Sequence, residues 1–273
     1  MSEHPNLPAL THGHLPATAD LSPEALVEIA GFALRLRRAN GPVMRLMNGM
    51  GTRIEARLEA LPVNLRKLLA SGTAELLETS YVVAGRFGAH PAMPDTGDWG
   101  HQVAALTGGA LGGVGGIGTA MLELPATVTL FFSAMQKVAG QYGFDPAAED
   151  TRRMCLEIFG SGGPLDGDDG VDTSFIGARM AMNGTTVQAL ISQVAPAVAA
   201  VLGRKLATQA VPVLGAAAGA GVNLAFLSYY RDMAHVRFGL TQLAETYGLG
   251  VVEAQFRADL LRLGGEGSPD LRR

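Results

Sequence analysis

The sequence predicts an all-α protein, a single helical domain in which central glycine- and alanine-rich helices are packed by amphipathic ones. Three observations carry this reading. Hydrophobic residues make up 48% of the 273 and aromatic residues only 6%, so the apolar mass is Ala, Leu, Val and Met, which is helix-forming material. No segment sustains the period-two alternation of a half-buried strand. Small residues recur every fourth position in two uncharged stretches, Gly108, Gly112, Gly116 and Ala120, then Gly215, Gly219 and Asn223, which is the spacing of one helical face. Composition does not shift along the chain in a way that argues for two cores. The expected limits are one helical domain over 22–263, an unstructured tail over 1–21 and another over 264–273.

Ser22, Pro23 and Glu24 announce the first helix: a capping hydroxyl, a proline at the first helical position and an acid against the dipole. Its buried face is expected to be Leu26, Ile29, Ala30, Ala33 and Leu34, leaving Arg35, Arg37 and Arg38 outside. Gly41 and Pro42 punctuate it. A second amphipathic stretch runs over 43–61, and Pro62 opens a third. The segment "HPAMPDTGDWG" at 90–100 reads as a loop from its prolines, glycines and aspartates.

Beyond that loop the chain loses its charges. The windows 103–122, 180–203 and 206–230 contain no Asp, Glu, Lys or Arg, and each reaches the ~20 residues a bilayer crossing needs. Length is not sufficient, because the first window holds seven glycines and the others carry Asn183, Gln188, Gln193, Gln209 and Asn223 among other polar residues. Such groups are expensive in hydrocarbon. Buried helices of a compact protein are the expectation.

Within the first window Gly113-Val114-Gly115-Gly116-Ile117-Gly118 satisfies G-x-G-x-x-G. A dinucleotide site needs a strand before the first glycine and an acid about 20 residues later, and neither is present. The phosphate loop fails as well, since no Gly-Lys-Ser/Thr follows. The spacing of four explains the glycines better: such a stripe lets two helix backbones approach closely. Glycine inside a helix costs about 1 kcal/mol relative to alanine, so close contact has to offset it.

Few residues offer chemistry. The single cysteine, Cys155, excludes an internal disulfide and reads as a small buried hydrophobe. There is no zinc signature and no nucleophile elbow, the acidic run over 166–172 lacks calcium-loop spacing, and no metal or cofactor is expected. Net charge is −4, which gives no reason to expect nucleic acid. A local basic excess lies over 24–67, and an acidic one, which includes Glu157, over 145–172. Glu123 is the one charge between His101 and Lys137, and Pro125 follows it inside the helix. Such a carboxylate is either paired internally, with Arg179, Lys205, Arg231 or His235 as candidates, or poised for function. His235 lies on a helix after Tyr230 and Arg231.

The stretches over 46–62, 124–143, 155–163 and 175–240 together resemble the EcsC protein family, named for the third product of a bacterial operon that encodes an ABC transporter. The most specific part is Lys205-x-x-x-Gln209-x-x-Pro212-x-x-Gly215, running on to Gly219 and Asn223, with Tyr230, Ala234 and His235 after it. Glu123 and Pro125 match as well. The resemblance implies a helical, membrane-associated or transporter-linked accessory protein of bacteria; some members are labelled peptidases without a recognisable catalytic set.

The expectation is therefore a non-enzymatic accessory protein, cytoplasmic and peripheral on the inner face of the membrane. Its basic helix, with Arg35, Arg37 and Arg38, would meet anionic headgroups, and its glycine stripes would meet a membrane protein such as an ABC transporter. The alternative is a hydrolase or small-ligand binder whose pocket gathers Glu123, Arg179, Lys205, Gln209, Asn223, Tyr230 and His235, with Glu123 or His235 as general base. A third reading has the glycine stripes mediate self-association.

Overall fold

The computed structural model describes residues 20–39, 63–88, 116–160, 186–209 and 215–265. These form α1 (Pro23–Ala39), α2 (Val63–Gly88), α3 (Gly116–Gln141), α4 (Glu149–Gly160), α5 (Val187–Gln209), α6 (Gly215–Tyr247) and α7 (Leu249–Gly265). No strand occurs among the described residues. The second amphipathic stretch, the loop over 90–100, Gly108, Gly112, residues 1–19 and 266–273 of the expected tails and the acidic run over 166–172 lie outside them, while α7 runs on through 264 and 265.

The Ser22 cap forms as the sequence predicts. Its Oγ accepts the Ala25 amide at 3.1 Å, satisfying one of the donors a helix start leaves open. The expected buried face of α1 needs correction. Ile29 and Ala33 are buried, but Leu26 and Leu34 face outward and Ala30 is half-buried, while Ala25, Phe32 and Leu36 complete the inner face. Two distant partners set this rotation. The Phe32 ring lies against the open Cα of Gly239, where an added Cβ would meet Cζ at 2.1 Å, and Arg35 pairs with Asp232 at 3.0 Å.

α6 is the central element and packs against α1, α3, α4, α5 and α7. Cross-contacts give the directions. Glu123 meets Asn223, Phe131 meets Phe226 and Tyr230, and Phe144 meets Phe238, so α3 and α6 run parallel. Met154 meets Thr241, Glu157 meets Arg237 and Phe159 meets Tyr230, so α4 runs against them. The helical starts at Gly116 and Gly215 therefore lie at the same end of the bundle, next to each other in register.

Phe131, Phe132, Phe159, Phe226 and Tyr230 are buried to 1% exposure or less and make the core, in tilted and stacked pairs 4.6–6.3 Å apart. Gly160 packs where a Cβ would meet Val194 at 2.6 Å, a close approach of α4 and α5. α3 ends in a Schellman arrangement: Gly143 has φ +82°, the Phe144 amide reaches the Ala139 carbonyl and the Gly143 amide that of Gly140. Gly248, at φ +88°, is the one residue between α6 and α7. No described helix is long and apolar enough to cross a membrane.

Candidate functional site

Glu123 stands in the second turn of α3, with Thr127 one turn further on the same face. The Thr127 hydroxyl donates to Glu123 Oε1 at 3.0 Å, and Asn223 Nδ2 donates to the same oxygen at 2.5 Å. Only the amide NH2 can donate to a carboxylate, which fixes the orientation of Asn223. Its Oδ1 then points into protein: Asn223 is 2% exposed and this oxygen has no hydrogen-bond partner among the described residues. Leaving such an acceptor unmet costs about 1–3 kcal/mol. α3 continues through Pro125, whose ring is on the solvent side. The pairing of two polar residues singled out in the sequence ties α3 to α6 near their starts.

His235 does not join them. It lies twelve residues beyond Asn223 on α6, about 18 Å along the axis. Its Nδ1 faces the Tyr142 hydroxyl at 3.2 Å, with the two rings edge to face at 5.8 Å. Tyr230, between them in sequence, is fully buried in the aromatic core. Lys205 and Gln209 are carried on α5, Gly116 and Gly215 open α3 and α6, and Gly219 follows one turn into α6. Arg179 and Pro212 lie outside the described residues. Glu123 and His235 are thus separate features, and among the described residues no contact joins them. Among the described residues no group of three metal-binding side chains converges.

Other polar contacts were not singled out by the sequence. Glu157 and Arg237 form an ion pair at 2.8 Å with side chains 3% and 10% exposed. Burial lowers the pKa of the guanidinium, and Glu157 offsets part of that effect. The signal was present: each charge is flanked by apolar neighbours, Leu156 and Ile158, Val236 and Phe238. Gln136, buried, donates to the Tyr81 carbonyl, and the Tyr81 hydroxyl donates to that of Pro146. The Arg152 guanidinium lies 5.4 Å from the Tyr81 ring centre. Cys155 is fully buried and its thiol pKa is pushed up by desolvation, in keeping with a packing role.

The other candidate is a surface. α1 and α7 pack side by side, and α1 turns Leu26, Val27 and Leu34 outward, Val27 at 75% exposure. Leu261 of α7 is also exposed. At the C-terminal end of α1, Arg37 and Arg38 face solvent, and Arg37 Nη1 donates to the Leu263 carbonyl of α7. Arg35 is drawn inward to Asp232, so the outward cations are Arg37, Arg38 and, on α7, Arg257 and Arg262. Between the helices runs a shallow groove of about 350 Å³, lined by Leu26, Val27, Ala30, Gln255, Asp259 and Arg262.

The model of the EcsC protein family fits residues 93–243, which include α3 to α5 and most of α6, while α1, α2 and α7 lie outside the matched range. No curated protein and no solved structure matches the chain.

Proposed function

The chain belongs to the EcsC protein family, and from that premise we propose that it is a non-enzymatic accessory protein lying on the cytoplasmic face of the membrane. The α1–α7 face meets anionic headgroups, and a transporter-type membrane protein is the partner. The observation that carries this reading is the outward strip of Leu26, Val27 and Leu34 on α1, bordered by Arg37 and Arg38. The contacts that dock α1, through Ile29, Phe32 and Leu36, leave three large aliphatic side chains at the surface without using them. An interfacial helix uses them, because its apolar strip enters the headgroup boundary while cations stay at the phosphates. Each cation near an anionic surface contributes about 1 kcal/mol, and four partly exposed aliphatic side chains add a similar or larger amount. Contact of this kind is peripheral and sensitive to salt.

Flotation with phosphatidylglycerol-containing and with phosphatidylcholine vesicles tests the reading. The wild-type chain is expected to float with the anionic vesicles, to be released by high salt, and to lose flotation when Arg37 and Arg38 are changed to Glu. Equal flotation of wild type and variant, or none with either vesicle, would overturn it. A second reading, a small-ligand binder between α3 and α6, is favoured by the buried acceptor Asn223 Oδ1. It predicts a ligand whose thermal stabilisation of the protein is lost in Asn223→Ala while flotation is kept.

A further inference from the structure

The groove between α1 and α7 has two unlike walls. Leu26, Val27 and Ala30 supply an apolar side, and Gln255, Asp259 and Arg262, spaced by four and three residues on one face of α7, supply a polar side. The polar side is an ion pair within α7. Arg262 Nη1 donates to Asp259 Oδ1 at 3.1 Å, with side chains 73% and 8% exposed. Gln255 Nε2 donates to both carboxylate oxygens, at 3.1 Å to Oδ1 and 3.0 Å to Oδ2. Oδ1 thus accepts from two donors and Oδ2 from one, whereas an ionised carboxylate offers about four lone-pair sites. An acceptor remains at Oδ2, beside an exposed guanidinium and against an aliphatic wall.

A plain anion gains little here, because the paired carboxylate cancels the arginine. The complement of an ordered cation–anion pair is a second pair in the opposite order. We propose that this groove binds the zwitterionic headgroup of an aminophospholipid, with the phosphate at Arg262, the primary ammonium at Asp259 Oδ2 and the first carbons of the lipid along Leu26, Val27 and Ala30. A primary ammonium has three N–H donors for the carboxylate; a trimethylammonium has none, and the choline headgroup is therefore discriminated against. This inference rests on the membrane reading of the α1–α7 face and adds to it a specificity that net charge cannot supply.

The probe is a short-chain, water-soluble phosphatidylethanolamine below its micellar concentration, compared with the matching phosphatidylcholine by NMR titration of the Gln255 side-chain amide and the Ala30 methyl. The ethanolamine lipid is expected to bind about tenfold more tightly, the equivalent of 1.4 kcal/mol, within the range of a charge-assisted hydrogen bond. Asp259→Asn should remove the preference and Ala30→Phe, which fills the groove from its half-exposed side, should remove binding of both lipids. Phosphoethanolamine alone should bind at least tenfold more weakly than the lipid, since it leaves the aliphatic wall uncovered. Equal affinity for the two lipids, a preference that survives in folded Ala30→Phe, or equal binding of the bare headgroup would overturn the proposal. Because these probes form no bilayer, lipid binding without vesicle flotation defeats the membrane reading alone, and flotation without the preference defeats this one alone.

Discussion

Gly239→Ala should change the sign of its effect according to what stands at position 32. In the wild type the new Cβ would meet the Phe32 ring at 2.1 Å from Cζ and 2.7 Å from both Cε atoms, against an ordinary carbon contact of about 3.5–4.0 Å. The ring has to withdraw by more than 1 Å, as a rough estimate from those contact distances, and it is 5% exposed on a helix held by Ile29, Ala33 and Leu36. Overpacking of this kind costs about 1–3 kcal/mol, and alanine in a helix interior returns about 1 kcal/mol. The net effect is a loss of up to about 2 kcal/mol. In Phe32→Ala, itself costing about 3–5 kcal/mol, the clash is gone, and Gly239→Ala should stabilise by about 1 kcal/mol. Urea denaturation followed by helical circular dichroism on the four proteins closes the cycle, with an expected coupling of about 1–3 kcal/mol. If Gly239→Ala shifts the midpoint equally in both backgrounds, Phe32 does not seat on that glycine and the rotation of α1 argued above is wrong.

Two further outcomes test the interior and the α1–α6 contact. Arg237→Met leaves the buried Glu157 carboxylate facing an apolar side chain and should cost about 3–5 kcal/mol, while the double variant Glu157→Leu, Arg237→Met should recover most of it; a single-variant loss under about 1 kcal/mol in urea denaturation would contradict the burial of the pair. Desolvation, only partly offset by Arg35, raises the folded-state pKa of Asp232 above its ordinary 3.8. A carboxyl with a raised folded pKa contributes stability fully present below the unfolded pKa and lost as pH rises through the folded one. The urea midpoint of wild type minus that of Asp232→Asn should therefore fall from pH 3.5 upward through that raised value and then level off; a difference that grows with pH would refute the assignment.

What the sequence discloses is what is decided locally. The Ser22 cap needs only the residues beside it, and it forms as read. The helical character of α3, α5 and α6 follows from composition and spacing, and Glu123 and Asn223 stand out as polar residues in otherwise apolar helices. Their pairing depends on α3 and α6 being parallel and in register, which no local pattern encodes. The rotation of α1 fails in the same way: Leu26 and Leu34 satisfy a helical face as well as Phe32 and Leu36 do, and the choice is made by Gly239 and Asp232, some 200 residues away. Glu157 is the instructive miss. Counted by charge it belongs to an acidic surface run, but its apolar neighbours on both sides place it inside, and Arg237 repeats that pattern on α6.

The position of α1 also bears on how the chain leaves the ribosome. Its apolar face, with Ile29, Phe32 and Leu36, is made well before the helices that cover it, α6 and α7. At about 5–20 residues per second, roughly 200 residues of further synthesis take about 10–40 s. Throughout that interval the face later docked on Gly239 is uncovered, beside the Leu26, Val27 and Leu34 that stay outside. The order in which the helices are made thus separates the appearance of α1 from the contacts that fix its rotation.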